Sequence, residues 1–138
     1  MGGIFSMNNI SGQSASSITA HLKNSTGETR KAKAAIYDNA SPRNLIGYTE
    51  EVDVISAQDG WLEFGIIGEV GLTANATYFL CVWSEGYHYQ TTNIFFGNQS
   101  GETGVIAYAA LEYTDFPAEL STSAGAEILS CIFCNYSD

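Results

Sequence analysis

Hydrophobic and polar positions alternate along much of the chain with a period of two residues, the pattern of a β-strand with one buried face. In residues 15–22, Ile18, Ala20 and Leu22 fall on one face and mostly polar residues on the other. Residues 77–84 are apolar on both faces, which indicates a central strand covered on both sides. No segment sustains the 3.6-residue period of a helix. The pattern predicts strands at residues 3–8, 15–22, 31–37, 47–55, 61–67, 77–84, 86–96, 104–113 and 127–136.

Clusters of Gly, Asn, Ser, Thr and Asp separate the predicted strands, as in residues 24–27, 58–60 and 97–101. These residue types favour tight turns. Many short strands joined by such turns are typical of a β-sandwich or a barrel. We therefore predict an all-β fold, a jelly-roll-like β-sandwich of two antiparallel sheets with about eight or nine strands. The length of 138 residues fits a single domain over residues 1–138.

The charge of the chain excludes two classes of partner. Asp and Glu number 15 against 5 Lys and Arg, which gives a net charge of −10 at pH 7. Nucleic acids and anionic membrane surfaces bind proteins through clustered cations, so we expect neither as a partner. No apolar run reaches the roughly 18 residues that membrane insertion as a helix needs. Only 14% of residues are charged, so uncharged polar residues supply most of the surface, as is common in exported β-proteins.

Asparagine occurs mostly in one sequence context. Six of the nine asparagines begin an N-x-[ST] triplet, more than the Ser and Thr content predicts by chance: Asn9, Asn24, Asn39, Asn75, Asn98 and Asn135. One interpretation is that Asn, Ser and Thr cluster together in turns. The other is N-glycosylation, which would place these asparagines at the surface and the chain outside the cytoplasm. We follow the second, which predicts an extracellular glycoprotein, although Pro42 weakens the triplet at Asn39.

Three cysteines are candidates for a disulfide, namely Cys81, Cys131 and Cys134. In an exported protein one pair of them would be bridged. Cys131 and Cys134 are three residues apart, so in a strand they face opposite sides and Cys81 can pair with one of them at most. The alternative is that all three are small buried hydrophobic residues. We do not expect this C-x-x-C spacing to bind metal, because both histidines are far away in sequence.

The sequence predicts no cofactor. Asp38, Asp59 and the carbonyl groups of the Gly-rich turns could offer hard oxygen ligands to a structural calcium ion. The sequence has no EF-hand spacing, so calcium is kept only as an alternative.

Catalytic motifs are absent from the sequence, and we predict that the chain is not an enzyme. Glu50, Glu51 and Asp53 lie along one strand pattern, whereas a glycosidase needs two carboxylates across a cleft. They are interpreted as a solvated strand face. There is no G-x-S-x-G nucleophile motif, and no acid lies at a suggestive spacing from His21 or His88.

Six different short motifs follow one another along nearly the whole chain. They are SSITA at 16–20, AAIYD at 34–38, LIGYTEEV at 45–52, GWLEF at 60–64, LTANATYFL at 72–80 and IFCNYS at 132–137. With these motifs the chain resembles a jelly-roll β-sandwich domain of archaeal and bacterial extracellular surface proteins and of some viral fibres. The resemblance covers about residues 3–137. It implies a carbohydrate-binding or display module.

Three aromatic residues are candidates for ligand binding. Tyr87 and Tyr89 fall on one face of a predicted strand, and Trp83 precedes them. Exposed aromatic rings can stack on sugars because the apolar face of a pyranose matches their π-surface. The alternative is that these side chains fill the core or a contact between subunits. Trp61 and Trp83 are expected to lie in the core.

The N-terminal segment, residues 1–8, is a candidate assembly strand through Ile4, Phe5 and Met7. It either forms an edge strand of its own sandwich or inserts into the open groove of a neighbouring copy. It has neither the basic n-region nor the long apolar h-region of a signal peptide, so we do not interpret it as one.

These observations favour a non-enzymatic extracellular structural subunit or display module of a filament, coat or virion appendage. Its predicted partners are copies of itself, and N-linked glycans would cover its outer surface. The alternative is a carbohydrate-binding module that uses Tyr87, Tyr89 and Trp83.

Overall fold

The computed structural model describes residues 2–6, 13–24, 26–73, 76–85, 94–96, 98–99, 106–108, 115–121, 123–124, 129–130 and 132–137. These residues form an all-β structure without a helix, which confirms the predicted fold class. Accordingly, the described part holds no helix with the length and hydropathy to cross a membrane. The strands are β1 (Gly2–Ser6), β2 (Gln13–Asn24), β3 (Arg30–Asp38), β4 (Arg43–Tyr48), β5 (Val52–Val54), β6 (Asp59–Leu72), β7 (Thr77–Ser84), β8 (Ile94–Phe96), β9 (Asn98–Gln99), β10 (Ile106–Tyr108), β11 (Glu119–Leu120), β12 (Ser123–Ala124), β13 (Leu129–Ser130) and β14 (Ile132–Ser137).

Two antiparallel sheets make up the sandwich of the described residues. The larger sheet has eight strands in the order β11-β4-β3-β7-β1-β10-β12, and β5 also pairs with β3. The smaller sheet has four strands in the order β14-β2-β6, with β8 also paired to β2. A separate ladder joins β9 and β13.

The inward faces of the two sheets form the main core. Ile18, Ala20 and Leu22 of β2 are fully buried there, as their alternation predicts. They share one apolar cluster with Ile36 of β3 and Phe64 of β6. Burial of this apolar surface is the main favourable contribution to folding of the sandwich.

The outward face of the larger sheet carries a second apolar cluster, which includes Tyr37 of β3 and Phe79 and Cys81 of β7. Residues 115–121 cover it. Leu120 is buried against the cluster, and Tyr37 Oη donates a 2.8 Å hydrogen bond to the carbonyl oxygen of Pro117. Strand β7 is therefore covered on both faces, as its double apolar pattern predicts.

Thr49 marks the corner where the two sheets are joined. The sequence predicts one strand over residues 47–55, but the structure divides it into β4 and β5. Between them, Thr49 Oγ1 accepts a 2.9 Å hydrogen bond from the backbone N–H of Ala34. Thr49 also forms an isolated bridge to Ile66 of β6. The strand is interrupted because Thr49 pairs with elements of both sheets.

Strand β6 is longer than the predicted strand 61–67 because its ladder with β2 continues beyond an irregularity. Ser16 alone stands opposite residues 66–69 at this point. Gly68 has a φ of 75°, in the left-handed region that glycine adopts at little cost. Ile67 projects from this segment and is 45% exposed.

Candidate functional site

The amide of Asn24 closes a buried turn at the end of β2. Its Nδ2 donates hydrogen bonds to the carbonyl oxygens of Glu28, Val54 and Ile55 at 2.8, 2.8 and 3.1 Å. Its Oδ1 accepts from the backbone N–H and the hydroxyl of Thr26 at 3.0 and 2.7 Å. The residue is 5% exposed. A glycan on Nδ2 would disrupt the donor bonds of this turn, so the geometry argues against Asn24 as a glycan site in the folded chain.

The other triplets stand in different surroundings. Asn39 is exposed in the turn between β3 and β4, which suits the predicted modification. Asn135 of β14 is half-buried, and its Nδ2 donates to Ser17 Oγ at 2.8 Å and to Thr19 Oγ1 at 3.0 Å. A glycan on Asn135 would therefore compete with two hydrogen bonds to β2. The remaining predicted sites have side chains outside the described residues: Asn9, Asn75 and Asn98.

Cys81 and Cys134 are both free thiols, and they lie in different apolar clusters. Cys134 faces the main core between the sheets, whereas Cys81 faces the covered outer side of the larger sheet. Burial raises the pKa of each thiol to about 11, which disfavours the reactive thiolate. Both fit the alternative interpretation of small buried hydrophobic residues. Cys131, and with it any pairing that involves it, lies outside the described residues.

Asp38, a candidate calcium ligand, serves as a turn residue. Its Oδ1 accepts hydrogen bonds from the backbone N–H groups of Ala40 and Asn44 at 3.1 and 2.8 Å. Its Oδ2 accepts from Asn44 Nδ2 at 2.8 Å. The backbone hydrogen bond from Asn44 is the largest cause that lowers the pKa of this carboxyl group. Within the ranges described above, no group of three or more His, Cys, Asp and Glu side chains is arranged to hold a metal ion.

The carboxylates predicted to form a solvated strand face are indeed exposed. Lys31 Nζ lies 2.9 Å from Asp53 Oδ1 and 3.7 Å from Glu51 Oε1. The hydrogen bond that Lys31 donates to Asp53 is the largest cause that raises the pKa of Lys31. Glu50 is exposed as well. Surface ion pairs of this kind contribute little to stability.

The N-terminal strand β1 pairs within its own chain. All five of its residues pair with β7, from Gly2 opposite Cys81 to Ser6 opposite Thr77, and its first two also pair with β10. The strand therefore lies inside the larger sheet rather than at an edge. Of the three residues proposed for assembly, Ile4 and Phe5 contribute backbone to β1, and Met7 lies outside the described residues.

Trp83 packs on the outward side of the larger sheet. Its ring centroid lies 5.5 Å from that of Phe116, and Lys33 Nζ lies 5.6 Å from the Trp83 ring. These contacts help to hold residues 115–121 against the sheet. Trp83 was expected in the core, but it is only half-buried, on the face of β7 that points away from the other sheet. Tyr87 and Tyr89 lie outside the described residues.

A cleft of 510 Å³ opens beside this aromatic pair. Strands β3, β4 and β6, the turn before β5 and the segment over the larger sheet all contribute to its wall, through Lys33, Tyr48, Thr49, Glu51, Ile67, Asp115 and Phe116. Sequence reasoning missed this site because its residues are widely spaced along the chain. Among them only Glu51 was singled out, as part of a solvated strand face.

The cleft combines aromatic rings with charges of both signs. Tyr48 is 46% exposed, so much of its ring is accessible. Lys33 Nζ lies 5.2 Å from the centroid of Phe116, within the range of a cation–π interaction. Glu51 and Asp115 add carboxylate groups to the lining. Such a site can stack against an apolar ligand face and exchange hydrogen bonds with its polar edge.

Trp61 is also outside the core, contrary to expectation. It is 55% exposed on the outward face of the smaller sheet, because Leu62 and Phe64 occupy the inward positions of β6. Its ring meets the ring of His21 edge-on, with centroids 5.4 Å apart and an interplanar angle of 83°. The two residues are directly opposite each other in the β2–β6 ladder.

Comparison with known proteins supplies no relative from which a function could be transferred. No protein-family model, curated protein or solved structure matches the chain. The resemblance to extracellular jelly-roll domains therefore rests on the sequence motifs alone. A function for this chain has to be argued from its cleft and its surfaces.

Proposed function

We propose that the chain is a non-enzymatic module of an extracellular surface that binds carbohydrate in the cleft bordered by Tyr48 and Phe116. The observation that carries this proposal is the cleft, which brings aromatic and charged groups together in 510 Å³. Ligand sites of proteins typically have volumes of about 300–1,000 Å³. The low charged fraction and the N-x-[ST] triplets support an extracellular location.

A pyranose ring fits the chemistry of this cleft. One face of the sugar presents C–H groups, which can stack on the exposed ring of Tyr48. Its rim presents hydroxyl groups, which both donate and accept hydrogen bonds. Lys33 can donate to them, and Glu51 and Asp115 can accept from them. The cleft thus offers complementary groups to both parts of the ligand.

The carboxylates of the cleft suit binding better than catalysis. A glycosidase needs a general acid whose pKa is raised, usually by apolar surroundings. The side chain of Glu51 is 40% exposed and lies 3.7 Å from Lys31 Nζ, so it lacks the apolar surroundings that such an acid needs. Glu51 is therefore assigned to hydrogen bonding rather than to proton transfer.

Tyr48→Ala should weaken oligosaccharide binding about tenfold, because it removes the ring on which the sugar stacks. Tyr48→Phe should keep most of the affinity if stacking matters more than the hydroxyl group. Titration calorimetry would measure both, with β-1,4-linked hexaoses of glucose, N-acetylglucosamine, xylose and mannose as probes. Ile46→Ala is the control, since Ile46 lies on the same strand, is 39% exposed and does not line the cleft. Unchanged affinity of Tyr48→Ala would contradict binding in the cleft.

We keep a second candidate function, a subunit of a self-assembling surface structure, because of β1. This strand contributes backbone pairings along the whole of its length to β7. If β1 detached from β7, the exposed edge of β7 could pair with β1 of a neighbouring copy. Exchange of β1 would then link copies of the chain through the same β1–β7 pairing that each chain forms within itself.

Deletion of residues 1–7 tests this second function. Under strand exchange, electron microscopy should show regular polymers of the full chain and dispersed particles of the deleted one. A synthetic peptide of residues 1–7 should bind the deleted chain and raise its Tm, because it restores the β1–β7 pairing. Dispersed full-length particles at every concentration would contradict the assembly role and leave the carbohydrate proposal unaffected.

A further inference from the structure

The outward face of the smaller sheet carries the exposed ring of Trp61, and its described neighbours in the β2–β6 ladder include polar side chains. Trp61 is 55% exposed and lies on β6, two residues before Glu63. Opposite them on β2 stand His21 and Thr19. A protein partner usually needs a contiguous apolar patch around an aromatic anchor. Among the described side chains, a ring with polar neighbours instead matches a ligand that has one apolar face and a polar rim.

The ring and its polar neighbours are held in place before any ligand arrives. His21 packs edge-on against Trp61, with ring centroids 5.4 Å apart. Asn135 Nδ2 donates to Ser17 Oγ at 2.8 Å, and Ser17 Oγ donates to Glu63 Oε1 at 2.6 Å. Within the described part of the chain, no hydrogen bond reaches Glu63 Oε2, which leaves this oxygen available to a ligand hydroxyl group.

The spacing along β6 suits a chain of sugars. Side chains on one face of a strand repeat every two residues, so Trp61 and Glu63 are about 7 Å apart along the strand. Gly65 follows at the next position on this face, and an added Cβ there would meet nothing within 4 Å. Gly65 therefore leaves room for a further sugar unit next to Glu63, up to Ile67, which borders the cleft.

We infer that the face formed by Trp61, His21, Glu63 and Gly65 is a second carbohydrate-binding surface, so that one chain holds two glycans on opposite sides of the sandwich. The inference rests on the proposed carbohydrate function. Tyr48 and Lys33 lie on the outward side of the larger sheet, whereas Trp61 lies on the outward side of the smaller one. Two sites that face away from each other can cross-link two polysaccharide chains, which joins the binding role to a structural one.

Calorimetric stoichiometry with the same four hexaoses tests the inference. The wild-type chain should bind two molecules of the recognised hexaose, and Trp61→Ala and Tyr48→Ala should each weaken one site about tenfold and leave the other at its wild-type affinity. Trp61→Phe should restore part of the lost binding, because it restores a stacking ring. Gly65→Gln should weaken the second site about tenfold by filling the space next to Glu63. Ile55→Ala is the matched control, since Ile55 is 54% exposed and lies outside both sites.

The possible results separate this inference from the proposed function. A single wild-type site that Tyr48→Ala weakens and Trp61→Ala leaves intact would overturn the second surface and support the cleft. A single site that only Trp61→Ala weakens would overturn both the two-glycan inference and the role of the cleft. No binding of any hexaose would overturn both proposals. Thermal unfolding of each variant checks that a lost site is not a lost fold.

Discussion

Asn24→Ala should lower the free energy of unfolding by about 3 kcal/mol, in the range for loss of a buried hydrogen-bond network. The substitution removes the donor to the carbonyl oxygens of Glu28, Val54 and Ile55 and the acceptor for Thr26. Because Asn24 is 5% exposed, water cannot readily replace these partners. Denaturant unfolding of the chain produced without glycans would measure the loss.

Asn39→Ala is the matched control for this experiment. Asn39 also begins an N-x-[ST] triplet and also lies in a turn, but it is exposed. Its replacement should change the free energy of unfolding by no more than about 0.5 kcal/mol. Similar losses in the two variants would contradict the structural role of Asn24 and reopen the question of a glycan there.

Gly47→Ala should lower the free energy of unfolding by about 2 kcal/mol through overpacking. Gly47 is buried in β4, and an added Cβ would lie 2.5 Å from Cγ2 and 3.0 Å from Cγ1 of Val70. Val70 is 6% exposed and β-branched, so it has few alternative rotamers with which to relieve the clash. The same denaturant titration measures this variant.

A double-mutant cycle identifies the cause of the loss at Gly47. In the background of Val70→Ala, the further change Gly47→Ala should cost less than about 0.5 kcal/mol, because the two clashing methyl groups are gone. Gly71→Ala controls for glycine replacement in general, since a Cβ there would meet nothing within 4 Å. If Gly47→Ala costs as much without the Val70 side chain as with it, the close contact is not the reason.

The period-two pattern predicts the strands and their inward faces because burial on one side of a sheet acts on every second residue. It would also have placed Trp61 correctly. Leu62 and Phe64 occupy the inward positions of β6, so Trp61 must point outward. The expectation of a core position did not apply the alternation of β6 to Trp61.

The two roles of Asn24 could not be separated from sequence. An asparagine followed two residues later by threonine is both a glycan acceptor triplet and a common form of Asx-turn. What distinguishes them here is the approach of Val54 and Ile55, which are distant in the chain. The cleft escaped prediction for a similar reason, since Lys33, Tyr48 and Phe116 meet only through tertiary packing.

The pairing of early strands with late ones has a consequence for how the chain folds. Strand β1 finds its partner in β7, and Asn135 of β14 bonds to Thr19 of β2 across 116 residues. Such high contact order slows folding, typically to milliseconds or seconds. During synthesis, β2 leaves the ribosome long before its partner strand β14 has been made. The smaller sheet is complete only after residues 132–137 have been synthesised. The nascent chain therefore carries unpaired strand edges for most of its translation. Such edges are prone to aggregation, so a chaperone would be most useful in this period.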